Sequence, residues 1–234
     1  MQLFYNPDVS ENDTIFNFNK EESRHIVKVL RKKQGDVLQL TNGRGWLFNS
    51  QLITAEQKHC TAKIISKEFF KTKGFNLHLA VAPTKMNDRF EWFLEKATEI
   101  GVDTITPILC DHSERKVIKE DRFQKIIQSA MKQSLQFHLP QLHPLTPFTD
   151  FINRGFEGQK FIAHCEDTDR TSLKSLLKPK SDVLILIGPE GDFSVKEIAL
   201  ALQNNFIPVT LGNTRLRTET AAVVGCHSVI FKNE

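Results

Sequence analysis

The chain has 234 residues, of which 40% are apolar, 25% charged and 9% aromatic, proportions of a folded globular protein and not of a disordered or fibrous one. No run approaches the roughly 18–20 consecutive apolar residues of a bilayer span, and Met1 to Ser10 lacks the basic start and apolar core of a secretion signal, so a cytoplasmic protein with no membrane attachment is expected. The net charge of +3 is too small to imply a nucleic-acid partner by itself. It is unevenly placed, however: residues 1–73 hold 12 Lys and Arg against 8 Asp and Glu, whereas residues 74–234 hold 19 against 20.

In the first third, short apolar runs alternate with turn signals. Residues 37–40 end at Thr41-Asn42-Gly43, residues 46–53 follow, and residues 62–65 close the series, a spacing that predicts a small β-barrel. The polar, glycine-ended stretch Lys71-Thr72-Lys73-Gly74 marks a domain boundary, dividing the chain into 1–73 and 74–234. Beyond it, β-rich runs at 77–82, 105–109, 161–164, 183–187 and 207–211 alternate with segments of helical period. Phe90, Phe93, Leu94, Ala97 and Ile100 recur at helical spacing after Asn87-Asp88, as do Phe123, Ile126, Ile127 and Ala130 after Asp121, so helix caps are expected at those Asn and Asp residues. Ser194 and Glu197 have the spacing of a capping box. Such alternation predicts an α/β fold with a parallel sheet covered on both faces and a ligand site outside the carboxyl ends of its strands.

Cys60, Cys110, Cys165 and Cys226 form no C-x-x-C pair, so buried reduced thiols are expected and no metal site. His138 and His143 flank Pro140 without a convergent acidic or cysteine partner, and His78 reads as a sheet residue.

Two loops carry the candidate chemistry. After the run at 183–187 comes Gly188-Pro189-Glu190-Gly191-Asp192-Phe193, which opens into the Ser194-capped segment. Its glycines allow close approach of a ligand to the backbone. Glu190 and Asp192, however, stand where a phosphate would sit, so a neutral or cationic ligand such as an adenosine carrying a sulfonium suits the loop better. G-x-G-x-x-G and P-loop patterns are both absent. By itself the loop reads equally well as a glycine-rich turn. The second, residues 211–222, is Leu-Gly-Asn-Thr-Arg-Leu-Arg-Thr-Glu-Thr-Ala-Ala, also between a strand and a helix. Alone it is a salt-bridged helix start with Thr218 or Thr220 as cap.

Together the two loops resemble the signature of the bacterial RsmE-type 16S ribosomal RNA (uracil-N3)-methyltransferases of the SPOUT class, matched by Gly188 to Ser194 and by Leu211 to Ala221. The similarity extends to His25 to Arg31 with Gly35-Asp36, to Glu95 to Val102, to His112-Ser113-Glu114-Arg115, and to Ala130 to Ser134. Three positions depart from the pattern. Asp192 replaces a glycine, Thr214 stands where an arginine is usual with Arg215 one residue later, and Gln136 replaces a basic residue.

The resemblance implies a SPOUT methyltransferase domain over 74–234 with a carboxyl-terminal trefoil knot, and a PUA-like β-barrel over 1–73 that binds RNA. It implies S-adenosylmethionine as cofactor, a homodimer built on the segment near 90–100 and the last helix, and 16S rRNA of the small ribosomal subunit as partner. The cofactor would be held from the first loop by Ile187, Gly188, Pro189, Glu190 and Gly191. From the second loop Leu211, Gly212, Leu216, Arg217, Thr218 and Ala221 would hold it. His164, at the end of the 161–164 run before Glu166-Asp167, reads either as a third loop lining the cofactor pocket or as a satisfied core histidine. The reaction assigns charge stabilisation to Arg217 and orientation or proton acceptance to Glu219, for which simple pairing with an arginine is the equal alternative. Arg24, Lys28, Arg31, Lys32 and Lys33 are the candidate phosphate contacts, while His25 is expected to pack beside Val29. A knotted methyltransferase with another target and a non-catalytic RNA-binding protein are the alternatives.

Overall fold

The computed structural model describes residues 2–166 and 169–234. Contacts divide the chain into two units, Met1–Thr72 with Met131–Leu139, and Lys73–Ala130 with Pro140–Glu234.

The first unit holds β1 (Leu3–Tyr5), β2 (Ile15–Phe18), the short helix α1 (Lys20–Arg24), a π-helical turn at His25–Val29, β3 (Val37–Thr41), β4 (Trp46–Glu56) and β5 (His59–Phe69). They form one sheet in the order β1-β3-β4-β5-β2, with β1 and β3 parallel and the other pairs antiparallel. Register shifts at Asn49/Ser50 and Leu52/Thr54 interrupt the β4–β5 ladder, and bulges of this kind bend a strand and add twist. The sheet curls over Phe4, Phe18, Ile26, Leu40, Phe48 and Leu52, all buried. Asn19 caps α1 by accepting the Glu22 N–H at 2.8 Å. The segment 131–139 joins this unit through backbone bonds from Gly45 N–H to Phe137 and from Leu139 N–H to Gly43. Gly45 has φ +92°, and a Cβ there would lie 2.6 Å from the Phe70 carbonyl oxygen and 2.7 Å from the His138 ring, so this contact requires glycine.

The second unit runs β6 (Leu77–Val81), α2 (Asn87–Ile100), β7 (Thr104–Leu109), α3 (Glu120–Gln133, whose last turn counts with the first unit), β8 (Gln141–Leu142), β9 (Thr146–Pro147), α4 (Phe148–Ile152), β10 (Gln159–Ala163), β11 (Thr171–Ser172), α5 (Leu173–Leu176), β12 (Val183–Ile187), α6 (Val195–Gln203), β13 (Ile207–Thr210) and α7 (Thr218–Asn233). The sheet order is β11-β13-β10-β12-β6-β7-β8, with β9 on the end of β7. Every pair is parallel. Each residue of β12 is buried, as expected for a central strand covered on both faces. Leu184 and Leu186 enter a cluster with Phe148, Phe151, Phe193 and Ile198 from α4 and the α6 side. Ile185 points the other way, toward α7, where a Cβ on Gly225 would sit 3.4 Å from its Cδ1.

Three local expectations need correction. The α2 cap is Met86, which makes no side-chain bond, because Asn87 and Asp88 already lie inside the helix. α3 begins at Glu120, so Asp121 occupies its first turn, where its charge still favours the positive helix end. Cys60, Cys110 and Cys226 are buried thiols, but Cys165 is exposed, since it follows β10 at the open end of the sheet. The capping box is present as expected, with the Glu197 N–H donating to Ser194 Oγ and the Ser194 N–H to Glu197 Oε2.

His78, on β6, meets Thr106 Oγ1 at 2.8 Å, and Thr106 meets His143 Nδ1 at 3.0 Å. Burial first, and His143 second, push the His78 pKa down from 6.5 to about 4. The folded state therefore prefers the neutral ring. The resulting stability is present in full above pH 6.5 and is lost progressively as the pH falls toward 4. We expect the wild type to lose about 3 kcal/mol more than His78→Gln between pH 7 and 4 in urea unfolding. Equal losses would remove His78 from the acid response.

Candidate cofactor and catalytic site

Four neighbouring strands, β13, β10, β12 and β6, send their carboxyl ends to one edge of the second unit. Parallel order makes this inevitable, because every strand then presents its following loop on the same side. Two cavities open there. One of about 350 Å³ is lined by His164, Arg170 and the β13 loop from Leu211 to Leu216. The other, of about 590 Å³, is lined by Lys85, Met86 and Arg89, by Ile187 to Glu190 and Asp192, and by Arg215 to Glu219. Ala163, Cys165, Arg215, Leu216 and Ala221 belong to both.

The β12 loop is tight because Phe193 folds over it. A Cβ on Gly188 would lie 3.0–3.2 Å from the ring and backbone of Phe193, which is itself buried in the core. Gly191 faces away from both cavities and packs against His112, whose Cβ would be 3.1 Å from an added Cβ. The His112 Nδ1–H donates to the Gly191 and Asp192 carbonyls at 3.0 and 3.1 Å. Glu190 Oε1 accepts the Lys85 N–H at 2.9 Å, joining the β12 and β6 loops. Asp192, at φ +64°, accepts the Cys165 N–H at 2.7 Å on Oδ2 and its neighbour Phe193 N–H at 2.9 Å on Oδ1.

The β13 loop leads into α7, whose cap residue is Arg217 and not Thr218 or Thr220. Thr218 is instead buried and its Oγ1–H donates to the Gly188 carbonyl at 3.1 Å, binding the second loop to the first. Glu219 is buried to 6% exposure, and Arg89 Nη1 donates to its Oε1 at 2.6 Å. Arg215 and Arg217 are exposed beside the cavity, and no ion pair engages either among the described residues. The loops thus contribute opposite charge: carboxylates from 190 and 192, guanidiniums from 215 and 217.

His164 is 4% exposed, yet neither ring nitrogen has a hydrogen-bond partner. Burial lowers its pKa, Asp192 partly opposes this, and Arg170 adds to it, so the ring is neutral at pH 7. Two unpartnered nitrogens in a buried wall of a cavity fit a polar organic ligand better than an empty space. Asp167, which follows this loop, lies outside the described residues. Among the described residues, no three His, Cys, Asp or Glu side chains converge to hold a metal ion.

Of the expected cofactor contacts, all but Gly191 line one cavity or the other. Arg89 and Lys85 were not legible as site residues. Their one signal is position, in the loop after β6 and the first turn of α2, on the side where the fold places ligand groups. In the first unit, Arg24 closes α1, Lys28 lies in the π-helical turn, and Arg31, Lys32 and Lys33 follow. All but the half-buried Lys32 are exposed. Arg31 has φ +53°. His25 packs edge-on to Phe4 with centroids 6.4 Å apart.

Residues 71–230 match the model of the RNA methyltransferase domain, and residues 18–65 that of the RNA methyltransferase PUA domain. Ribosomal RNA small subunit methyltransferase E of Buchnera aphidicola is 33% identical over 218 residues, covering 89% of this chain and 85% of its own. A probable rRNA methyltransferase of Porphyromonas gingivalis superposes with a TM-score of 0.92 at 39% identity, over 100% of this chain and 98% of that one. Ribosomal RNA small subunit methyltransferase E of Neisseria gonorrhoeae, solved bound to S-adenosylmethionine, gives 0.86 at 25% identity over 97% and 95%. Fold and site define an RNA methyltransferase joined to a PUA domain. The chain belongs to the ribosomal RNA small subunit methyltransferase E family.

Proposed function

We propose that this protein methylates N3 of a uridine in 16S rRNA of the small ribosomal subunit, using S-adenosylmethionine. The observation that carries this reading is the convergence of the loop after β12 with residues 215–219, tied by Thr218, around one cavity lined by Arg217 and the Arg89–Glu219 pair. When bound, S-adenosylmethionine supplies an electrophilic methyl on a sulfonium. Glu190 suits a cation, while the Asp192 oxygens hold the Cys165 and Phe193 amides, and Gly188, Leu211, Gly212 and Leu216 line the cavities where a nucleoside would lie.

Uracil N3 is a poor nucleophile until its proton leaves, and the charge then spreads onto the flanking carbonyl oxygens. Arg217 stabilises that charge, and among the described residues no carboxylate engages it. Glu219, held at one oxygen by Arg89, orients the loop that carries Arg217 and leaves its second oxygen for the departing proton. Apolar side chains of Ile187 and Leu216 on the cavity wall help exclude water from the transfer. No residue here is assigned to a metal.

The same reading includes the SPOUT trefoil knot, a cytoplasmic location, and RNA contacts by Arg24, Lys28, Arg31, Lys32 and Lys33 on a PUA-like domain at 1–73, with catalysis at 74–234. A homodimer built on α2 and α7 draws support from the exposure of Met86 (54%), Trp92 (44%) and Phe231 (66%), apolar side chains that a partner subunit would cover.

The test incubates the protein and cofactor with small subunits from cells lacking the family's enzyme, then quantifies nucleosides of the digested 16S RNA by mass spectrometry. N3-methyluridine is expected. A different methylated nucleoside would keep the cofactor and change the target, and binding of RNA without methylation or cofactor uptake would favour a non-catalytic role.

A further inference from the structure

Asp192 stands where the family pattern has glycine, and its surroundings give that substitution a role. At φ +64° the backbone lies in the left-handed region, which glycine enters freely and aspartate tolerates better than most residues. The position therefore keeps its shape while gaining a carboxylate. Oδ2 of that carboxylate accepts the Cys165 N–H at 2.7 Å, across 27 residues of chain, and Oδ1 accepts the N–H of Phe193 at 2.9 Å. Phe193 is anchored in the core. The side chain is thus a strap from a fixed point on the β12 loop to the first residues after β10.

What the strap holds is the ligand-facing part of that loop. His164, adjacent to the bonded Cys165, is 4% exposed with both ring nitrogens unpartnered and lines the 350 Å³ cavity. Cys165 lines both cavities. We infer that Asp192 is a positioning residue: its carboxylate fixes the end of β10 so that His164 meets the cofactor in a prearranged orientation. This rests on the proposal that S-adenosylmethionine fills these cavities. Prearranging a loop raises affinity by removing the cost of ordering it on binding, so the effect belongs to cofactor affinity and falls on any ligand that shares the adenosine.

Asp192→Gly is the informative variant, because glycine carries φ +64° without strain and the change removes the carboxylate. Calorimetry should show S-adenosylmethionine and S-adenosylhomocysteine each binding at least threefold more weakly, by similar factors, while hydrogen exchange at the Cys165 amide becomes faster in the free protein. Asp192→Asn, which retains one acceptor oxygen, should recover part of both effects. Affinity changed less than threefold with Cys165 exchange unaltered would overturn the inference. So would a loss confined to the sulfonium ligand, which would mean that the carboxylate acts on the positive charge directly and not through the loop. Wild-type protein that binds neither ligand would instead overturn the functional reading on which the inference stands.

Discussion

Arg217→Ala is expected to lower single-turnover methyl transfer by a factor of about 10²–10³, the usual cost of deleting one preorganised group aimed at a developing charge, while leaving S-adenosylmethionine affinity within about threefold of wild type. The asymmetry follows from where the side chain sits. Arg217 is exposed at the mouth of the larger cavity, at the cap position of α7. It has no carboxylate partner among the described residues, so its charge is available to substrate and is not spent on the fold. Its removal also leaves no buried group orphaned, and unfolding midpoints should move little. Arg217→Lys should recover only part of the rate, because a point charge replaces a planar fork that can address two oxygens. Measuring rate and cofactor affinity on the same preparation decides the matter. If affinity falls in step with rate, Arg217 is a binding residue and the charge stabilisation must come from elsewhere, with Arg215 the next candidate.

Much of this site is legible in the sequence because the fold class dictates where to look. The five longest strands of the parallel sheet are apolar runs, and the central one, β12, is buried along its whole length. Once they are placed, the loops after them become the only sensible positions for ligand chemistry. Glu197 in the capping box is likewise a local matter, settled over four residues.

The rest depends on contacts that no local pattern encodes. Arg89 looks like any polar residue in the first turn of a helix. Its role comes from Glu219, 130 residues later, folding onto it. Thr218 has the composition of a helix cap, yet a buried carbonyl of Gly188 outcompetes the cap for its hydroxyl. Asp192 is a mismatch to a glycine position in the sequence, and the φ of +64° and the distant Cys165 amide explain it. The two-residue strands β8, β9 and β11 are too short to carry any periodicity, and they exist only because a longer strand offers them an edge. The attachment of 131–139 to the curled sheet rests on backbone bonds to Gly43 and Gly45, which sequence spacing does not reveal.

The Arg89–Glu219 pair is the strongest case of such a long-range device, and breaking it should be costly. Exposed ion pairs contribute roughly 0.2–1 kcal/mol, whereas removing one partner of a buried pair costs about 3–5 kcal/mol because the remaining charge is stranded. Here the Glu219 side chain is 7% exposed and that of Arg89 40%, so the anion is desolvated while the cation still meets water. Arg89→Ala should therefore destabilise by about 2–3 kcal/mol in urea unfolding. Methyl transfer should fall about a hundredfold as well, since Glu219 opens the helix that follows Arg217, and its reorientation displaces that arginine from the substrate. Arg89→Lys should restore most of the stability and less of the rate. The discriminating measurement is a double-mutant cycle with Glu219→Gln, which keeps the shape of the side chain and removes its charge. A coupling of more than about 1 kcal/mol in both stability and activation free energy is expected for groups in direct contact. Coupling in stability alone would make the pair a structural brace, and Arg217 would then owe its position to the Thr218 bond to Gly188 instead.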